Sequence, residues 1–233
     1  MKLLRLPRTI LFGAFAIGVL LFGATVASAD HSWNNYHFPT YNLSLTVADD
    51  TSSELYDVTS AVAEWSGRGT DSPTMIVDAN SKGDITVKEA FSPFWLGQAR
   101  IFIDGGHITK GEVKLNTRLL DSYEVQYPGA SDHVLCQELG HVLGLGHNRD
   151  GDPGGLPDDS CMNDQGHLGE YTEPNDHDTE QLNAIYDGHD GIDPDGAEDD
   201  GGGGGGGGNC RGRNPNCQSA TGRWVVVHVF PIP

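Results

Sequence analysis

The chain has 233 residues, with 33 acidic against 14 basic side chains and a formal net charge of −19. So large an acidic excess argues against nucleic acid or an anionic membrane surface as a partner. The length suffices for one domain with a sizeable core, plus a tail.

Residues 1–29 read as a secretory signal peptide. Lys2, Arg5 and Arg8 precede an apolar run over 10–26, and Ala27-Ser28-Ala29 offers a small-x-small cleavage pattern. The mature chain would begin at Asp30, outside the cell and in an oxidising compartment. Loss of the three leader cations takes the net charge to −22. No other apolar run approaches membrane-spanning length, so no membrane partner is expected after cleavage.

Residues 41–47 alternate as Tyr41, Leu43, Leu45 and Val47 against polar neighbours, which predicts a half-buried strand. Ser52 or Ser53 can cap a helix carrying Leu55, Val58, Val62 and Trp65 on one stripe, ended by Gly67. Residues 74–77 and 85–87 predict short strands around a turn at 80–83, and 98–103 predicts a third, interrupted by Gly105-Gly106. Residues 107–116 follow, with Val113 and Leu115 alternating as on an edge strand. His107, alone beside a Gly-Gly turn, reads as structural rather than as a ligand.

The stretch from Cys136 to His147, C-Q-E-L-G-H-V-L-G-L-G-H, organises the rest. Against the zinc-site pattern H-E-x-x-H-x-x-G-x-x-H, Glu138, His141, Gly144 and His147 match, and Gln137 stands where the first histidine belongs. On a helix, 137 and 141 share a face one turn apart, so both can reach one ion. Leu135, Leu139 and Val142 form another face that pins the helix to a core. Gly144 lets the chain leave the helix with positive φ, so that His147 can return as a third ligand. Glu138 adjoins the first ligand position, where a general base belongs. His133 is no substitute ligand, because His141 lies two turns on, about 12 Å along the axis. Ser131-Asp132 can cap this helix, 148–160 is rich in turn formers, and 175–186 predicts a closing helix with Leu182, Ile185 and Tyr186 apolar.

From residue 187 the composition shifts. The acidic stretch 190–200 and the glycine run 201–208 predict a flexible linker over 189–208. Residues 209–233 form a short C-terminal tail with a strand at 223–230. Truncation at Gly201 is expected to leave the domain at 30–188 folded.

The helix motif, the later Cys161-Met162 and the closing helix together resemble the metzincin zinc endopeptidases. The nearest resemblance is to a matrixin-like catalytic domain of the secreted bacterial type, over about residues 30–188. It implies an α+β fold, with a twisted mixed sheet over the active-site helix, a methionine turn and a C-terminal helix. It also implies a Zn²⁺ cofactor, with His141 and His147 as ligands and Gln137 in the first ligand's place, Glu138 as general base, and Met162 as the floor of the site. A protein or peptide substrate would bind as a strand added beside residues 107–116. The expected activity is secreted, zinc-dependent endoproteolysis by a monomer, and the alternative is an inactive domain of the same fold kept as a binding or scaffold module. The four cysteines allow three pairings. Cys136 with Cys161 would tie the active helix to the methionine loop, and Cys210 with Cys217 would close the tail loop. A Cys136 thiolate as nucleophile or ligand competes less well, since 136 points about 100° away from 137.

Overall fold

The computed structural model describes residues 32–33, 36–39, 44–70, 72–78, 82–104, 107–148, 159–163, 168–186 and 222–232. The expected signal peptide (1–29), most of the turn-rich loop after His147, the expected linker (189–208), and Cys210 and Cys217 lie outside them.

Among the described residues, β1 (Ser44–Asp50), β2 (Thr74–Val77), β3 (Ile85–Glu89), β4 (Trp95–Asp104), β5 (His107–Leu115) and β6 (Arg223–Pro231) form one sheet, ordered β2-β1-β3-β5-β4-β6. Four helices accompany it: α1 (Val58–Trp65), α2 (Thr117–Gln126), α3 (Ala130–Val142) and α4 (Asp176–Tyr186). β1, β2, β3 and β5 are parallel, whereas β4 runs against both β5 and β6. The mixed sheet matches expectation, but α1 is a crossover between parallel neighbours β1 and β2, which makes the class α/β rather than α+β.

Period-two burial sets the strand faces, as at Leu45 and Val47 on β1, both fully buried. β2 and β3 flank β1 instead of pairing with each other. α1 starts later than Ser52 or Ser53 would place it, because Asp57 accepts from the Ser60 N–H. The backbone N–H groups of Ser52 and Ser53 donate instead to Glu89.

β5 is not an edge strand. It lies between β3 and β4, and its polar positions misled the alternation. Glu112 is nearly buried among Lys88 Nζ (2.6 Å), Arg100 Nε (2.5 Å) and Lys114 Nζ (3.4 Å). Burial raises its pKa, but the Arg100 and Lys88 hydrogen bonds and charges outweigh this and hold it at about 2. An ion cluster on the sheet's outer face therefore looks like a solvated edge in sequence.

α3 packs against β4, β5, β6, α1 and α2, so every residue from Val134 to Val142 is buried. Its start is not capped by Ser131 or Asp132. Gly129 takes a left-handed conformation there, and the Glu124 carboxylate of α2 accepts from the N–H groups of Gly129 (2.6 Å) and Ser131 (2.9 Å). Trp65 on α1 donates its indole N–H to Cys136 O at 2.9 Å, fixing the helix from the other side.

Cys136 and Cys161 are joined by a disulfide across a sequence separation of 25. It ties α3 to the Met162 loop. Closing a loop of that length stabilises by about 3 kcal/mol in the chain-entropy picture. The Cys136→Ser/Cys161→Ser double variant should lose about that much in urea titration. A loss near zero would show that packing alone holds the loop.

α4 opens with a reciprocal cap. Asn175 Oδ1 accepts from Asp178 N (3.1 Å), and Asp178 Oδ2 accepts from Asn175 N (2.8 Å). The Ser160 hydroxyl donates to Asp178 Oδ2 at 2.5 Å and accepts from Met162 N at 3.0 Å, so α4 positions the methionine loop. Burial pushes the Asp178 carboxyl from 3.8 up to about 6, against the hydrogen bonds from Ser160 and Asn175. The native state therefore keeps a proton that the unfolded chain has lost between those two values, and stability falls as pH rises through that window. Asp178→Asn removes the titration. Between pH ~4 and ~7 the variant should gain on the parent by on the order of 3 kcal/mol, read from urea titrations at both ends. A constant gap would show that native Asp178 is ionised throughout.

Candidate metal centre

Three imidazoles converge where α3 meets the β6 edge of the sheet. His141, His147 and His228 offer ligand atoms that all lie within 4.8 Å of one another. Their ring centroids are 4.7, 4.3 and 4.4 Å apart for the pairs 141–147, 141–228 and 147–228.

His141 sits on the last turn of α3, with Nδ1 2.8 Å from Leu145 O. A carbonyl only accepts, so Nδ1 carries the hydrogen and Nε2 keeps the lone pair a metal needs. The Trp33 indole N–H, 3.3 Å from the same nitrogen, cannot also donate to it, and the shorter contact decides. Leu145 itself is held by a bridge to Ser32.

His147 follows the turn at Gly144, whose φ is +110°. A Cβ there would also collide with Tyr36 O, so only glycine serves at this position. The turn brings the half-buried His147 back against His141, as the spacing predicts.

His228 comes from β6, which the motif gave no reason to include. Ala99 pairs with His228 but Arg100 pairs with Val226, leaving Val227 as the extra residue of a bulge. The bulge shifts the alternation by one. Val227 and His228 are both buried, while Val226 and Val229 are exposed at 53% and 38%.

Glu138 is fully buried, with Oε1 3.0 Å from His228 Nδ1. Its Oε2 has no hydrogen-bond partner among the described residues. Gly97 on β4 makes room for it, since a Cβ there would lie 2.7 Å from Glu138 Oε1 and 2.5 Å from Val134 Cγ1. A glycine inside an apolar strand run signals such a close approach, and this one went unread in the sequence.

Gln137 is fully buried and donates its amide N–H groups to Cys161 O (2.7 Å) and Asn163 O (3.3 Å). Those acceptors fix which end is nitrogen. Its Oε1 is left without a hydrogen-bond partner among the described residues. Met162 is fully buried beneath the helix, against Gly140, where any Cβ would meet its sulfur and the Trp65 ring.

Of the residues singled out in sequence, the structure thus brings His141 and His147 together, with Glu138 beside His228 and with Gln137 and Met162 on the disulfide-linked loop side of α3. His107 stacks edge-on to His37 at 4.9 Å, and His133 meets Phe230 at 5.8 Å; neither is in the triad.

The triad can hold a metal ion. Neutral imidazoles in a compact triangle suit Zn²⁺ among first-row cations, and Glu138, in contact with His228, has an oxygen without a hydrogen-bond partner among the described residues. The Cys136–Cys161 disulfide is consistent with an extracellular protein, and no helix of the described residues is long and apolar enough to cross a membrane. No protein-family model matches the chain, and no curated protein matches it either.

Proposed function

We propose that the protein is a secreted zinc-dependent endopeptidase of metzincin type, acting on extended peptide segments with Glu138 as general base. The observation that carries this reading is a buried carboxylate, 3.0 Å from one member of a three-histidine cluster, on a helix with the expected motif spacing. His141 and His147 would hold the ion from the body of the domain, with the Gln137 amide oxygen as the remaining donor on α3. Bound there, zinc supplies the Lewis acidity that makes water nucleophilic at neutral pH and polarises the scissile carbonyl. Glu138 takes the proton from that water and returns it to the leaving amine.

A second reading has its own observation. The Glu138–His228 contact also has the form of a carboxylate that orients a metal-bound imidazole, as in a closed, non-catalytic zinc centre. Zinc content by mass spectrometry, followed by casein hydrolysis with and without chelator, separates the two. Stoichiometric zinc with chelator-sensitive hydrolysis supports the peptidase. Stoichiometric zinc with no hydrolysis, even after the tail has been cut free, leaves the binding module.

A further inference from the structure

We infer that β6 is a displaceable occupant of the peptide-accepting edge of β4, and that His228 couples its docking to metal binding. β4 would be the last strand of the sheet without residues 223–231, and β6 completes it antiparallel from Trp95 to Ile103. An extended peptide would add to the same free backbone groups in the same way. The chain's own tail therefore sits where an incoming strand would sit.

β6 buries fewer of its residues than β4 or β5 does. Of its nine residues only Val227, His228 and Phe230 are buried. Its pairing with β4 is broken by register shifts at Trp95/Gly97 and at Ala99/Arg100. Outside the backbone ladder it is held by Val227 and Phe230 in the core with Val225 packed against them, by Trp224 against Phe102 at 5.4 Å and under Arg100 at 4.5 Å, and by His228 itself.

His228 is the informative contact. A water that Glu138 deprotonates must stand within hydrogen-bond reach of its carboxylate, and His228 Nδ1 holds one of the two oxygens, Oε1, at 3.0 Å. With Nδ1 so engaged, its other nitrogen is the one left to face the two histidines and an ion. The docked strand thus supplies one imidazole of the triad and engages one oxygen of the Glu138 carboxylate at once. On release, His141, His147 and Gln137 remain. Zinc must then bind the docked form more tightly, and by linkage the docked strand must be held more tightly by zinc, by the same factor. Resting on the peptidase reading, the docked chain is latent and strand release opens it to substrate.

The test keeps the whole chain. A site-specific protease sequence is placed within the glycine run at 201–208, the folded protein is cut there, and a dye-labelled synthetic peptide of residues 222–232 is offered in excess. Uptake is followed by anisotropy, with zinc or with EDTA, and casein hydrolysis is measured in parallel. The expected result is uptake by the cut but not the uncut protein, at least about tenfold slower with zinc. With His228→Ala in the chain itself, so that the resident strand lacks the imidazole, the parent peptide should enter at the same rate with zinc and EDTA. No uptake, or unfolding once the tail leaves, would show that β6 is a permanent strand and overturn the inference. Equal rates with zinc and EDTA in the parent chain would overturn the coupling. Zinc-slowed exchange without hydrolysis upholds the inference and removes the peptidase reading, whereas hydrolysis by the uncut protein without exchange does the reverse.

Discussion

Glu138→Gln, in zinc-loaded protein cut within its glycine run, is expected to lower casein hydrolysis about 10²–10⁴-fold with zinc content unchanged. The amide keeps the size of the carboxylate and loses its basicity. It also keeps an acceptor for His228 Nδ1–H, so docking of β6 should survive. Glu138→Ala is the contrasting variant. It should abolish hydrolysis as well, but it leaves the His228 donor buried without its acceptor, at a cost of about 1–3 kcal/mol to the docked strand. Exchange of the labelled tail peptide should then quicken in the alanine variant only. If Glu138→Gln hydrolyses casein like the parent, Glu138 is not the base, and its contact with His228 is all that remains for it to do.

The helix side of the centre was legible because local rules wrote it. Residues 137, 138 and 141 are fixed relative to one another by helix geometry, and Gly144 announces the turn by a conformation other residues resist. The disulfide was legible for a similar reason, since one cysteine lies on the helix and the other on the loop that must brace it. Strand existence followed from period two, but strand order did not. β5 looked like an edge because Glu112 and its cationic partners are as polar as a solvated face, and no local pattern shows that one carboxylate gathers three cations across neighbouring strands.

His228 was illegible for two physical reasons. It is 81 residues beyond His147 and separated from it by a linker that carries no pairing signal. The bulge at Val227 also breaks the alternation that would have placed a histidine on the inner face. The missing motif histidine was visible as Gln137. The sequence held no rule saying that a third imidazole could arrive from a strand paired elsewhere.

That division of labour sets the expectation for Gln137→His: zinc affinity should rise at least about tenfold, some 1.4 kcal/mol, in a competition titration against a chelator. The Gln137 amide nitrogen is already held by Cys161 O at 2.7 Å. An imidazole in its place can donate Nδ1–H to the same carbonyl, which leaves Nε2 as donor where the orphaned amide oxygen now stands. Exchanging a neutral oxygen for an imidazole nitrogen suits zinc. The gain should be largest after the tail has been cut free, because the helix side would then hold three imidazoles without His228. In the uncut chain, His228→Ala should cost the Gln137→His protein less affinity than it costs the parent, a coupling that a double-mutant cycle reads directly. An unchanged zinc affinity would place residue 137 outside the ligand sphere and leave His228 as the indispensable third ligand. Tight zinc in the cut Gln137→His protein with no hydrolysis would mean that the cleft no longer supports chemistry, and the protein would stand as a zinc-binding module closed by its own C-terminal strand.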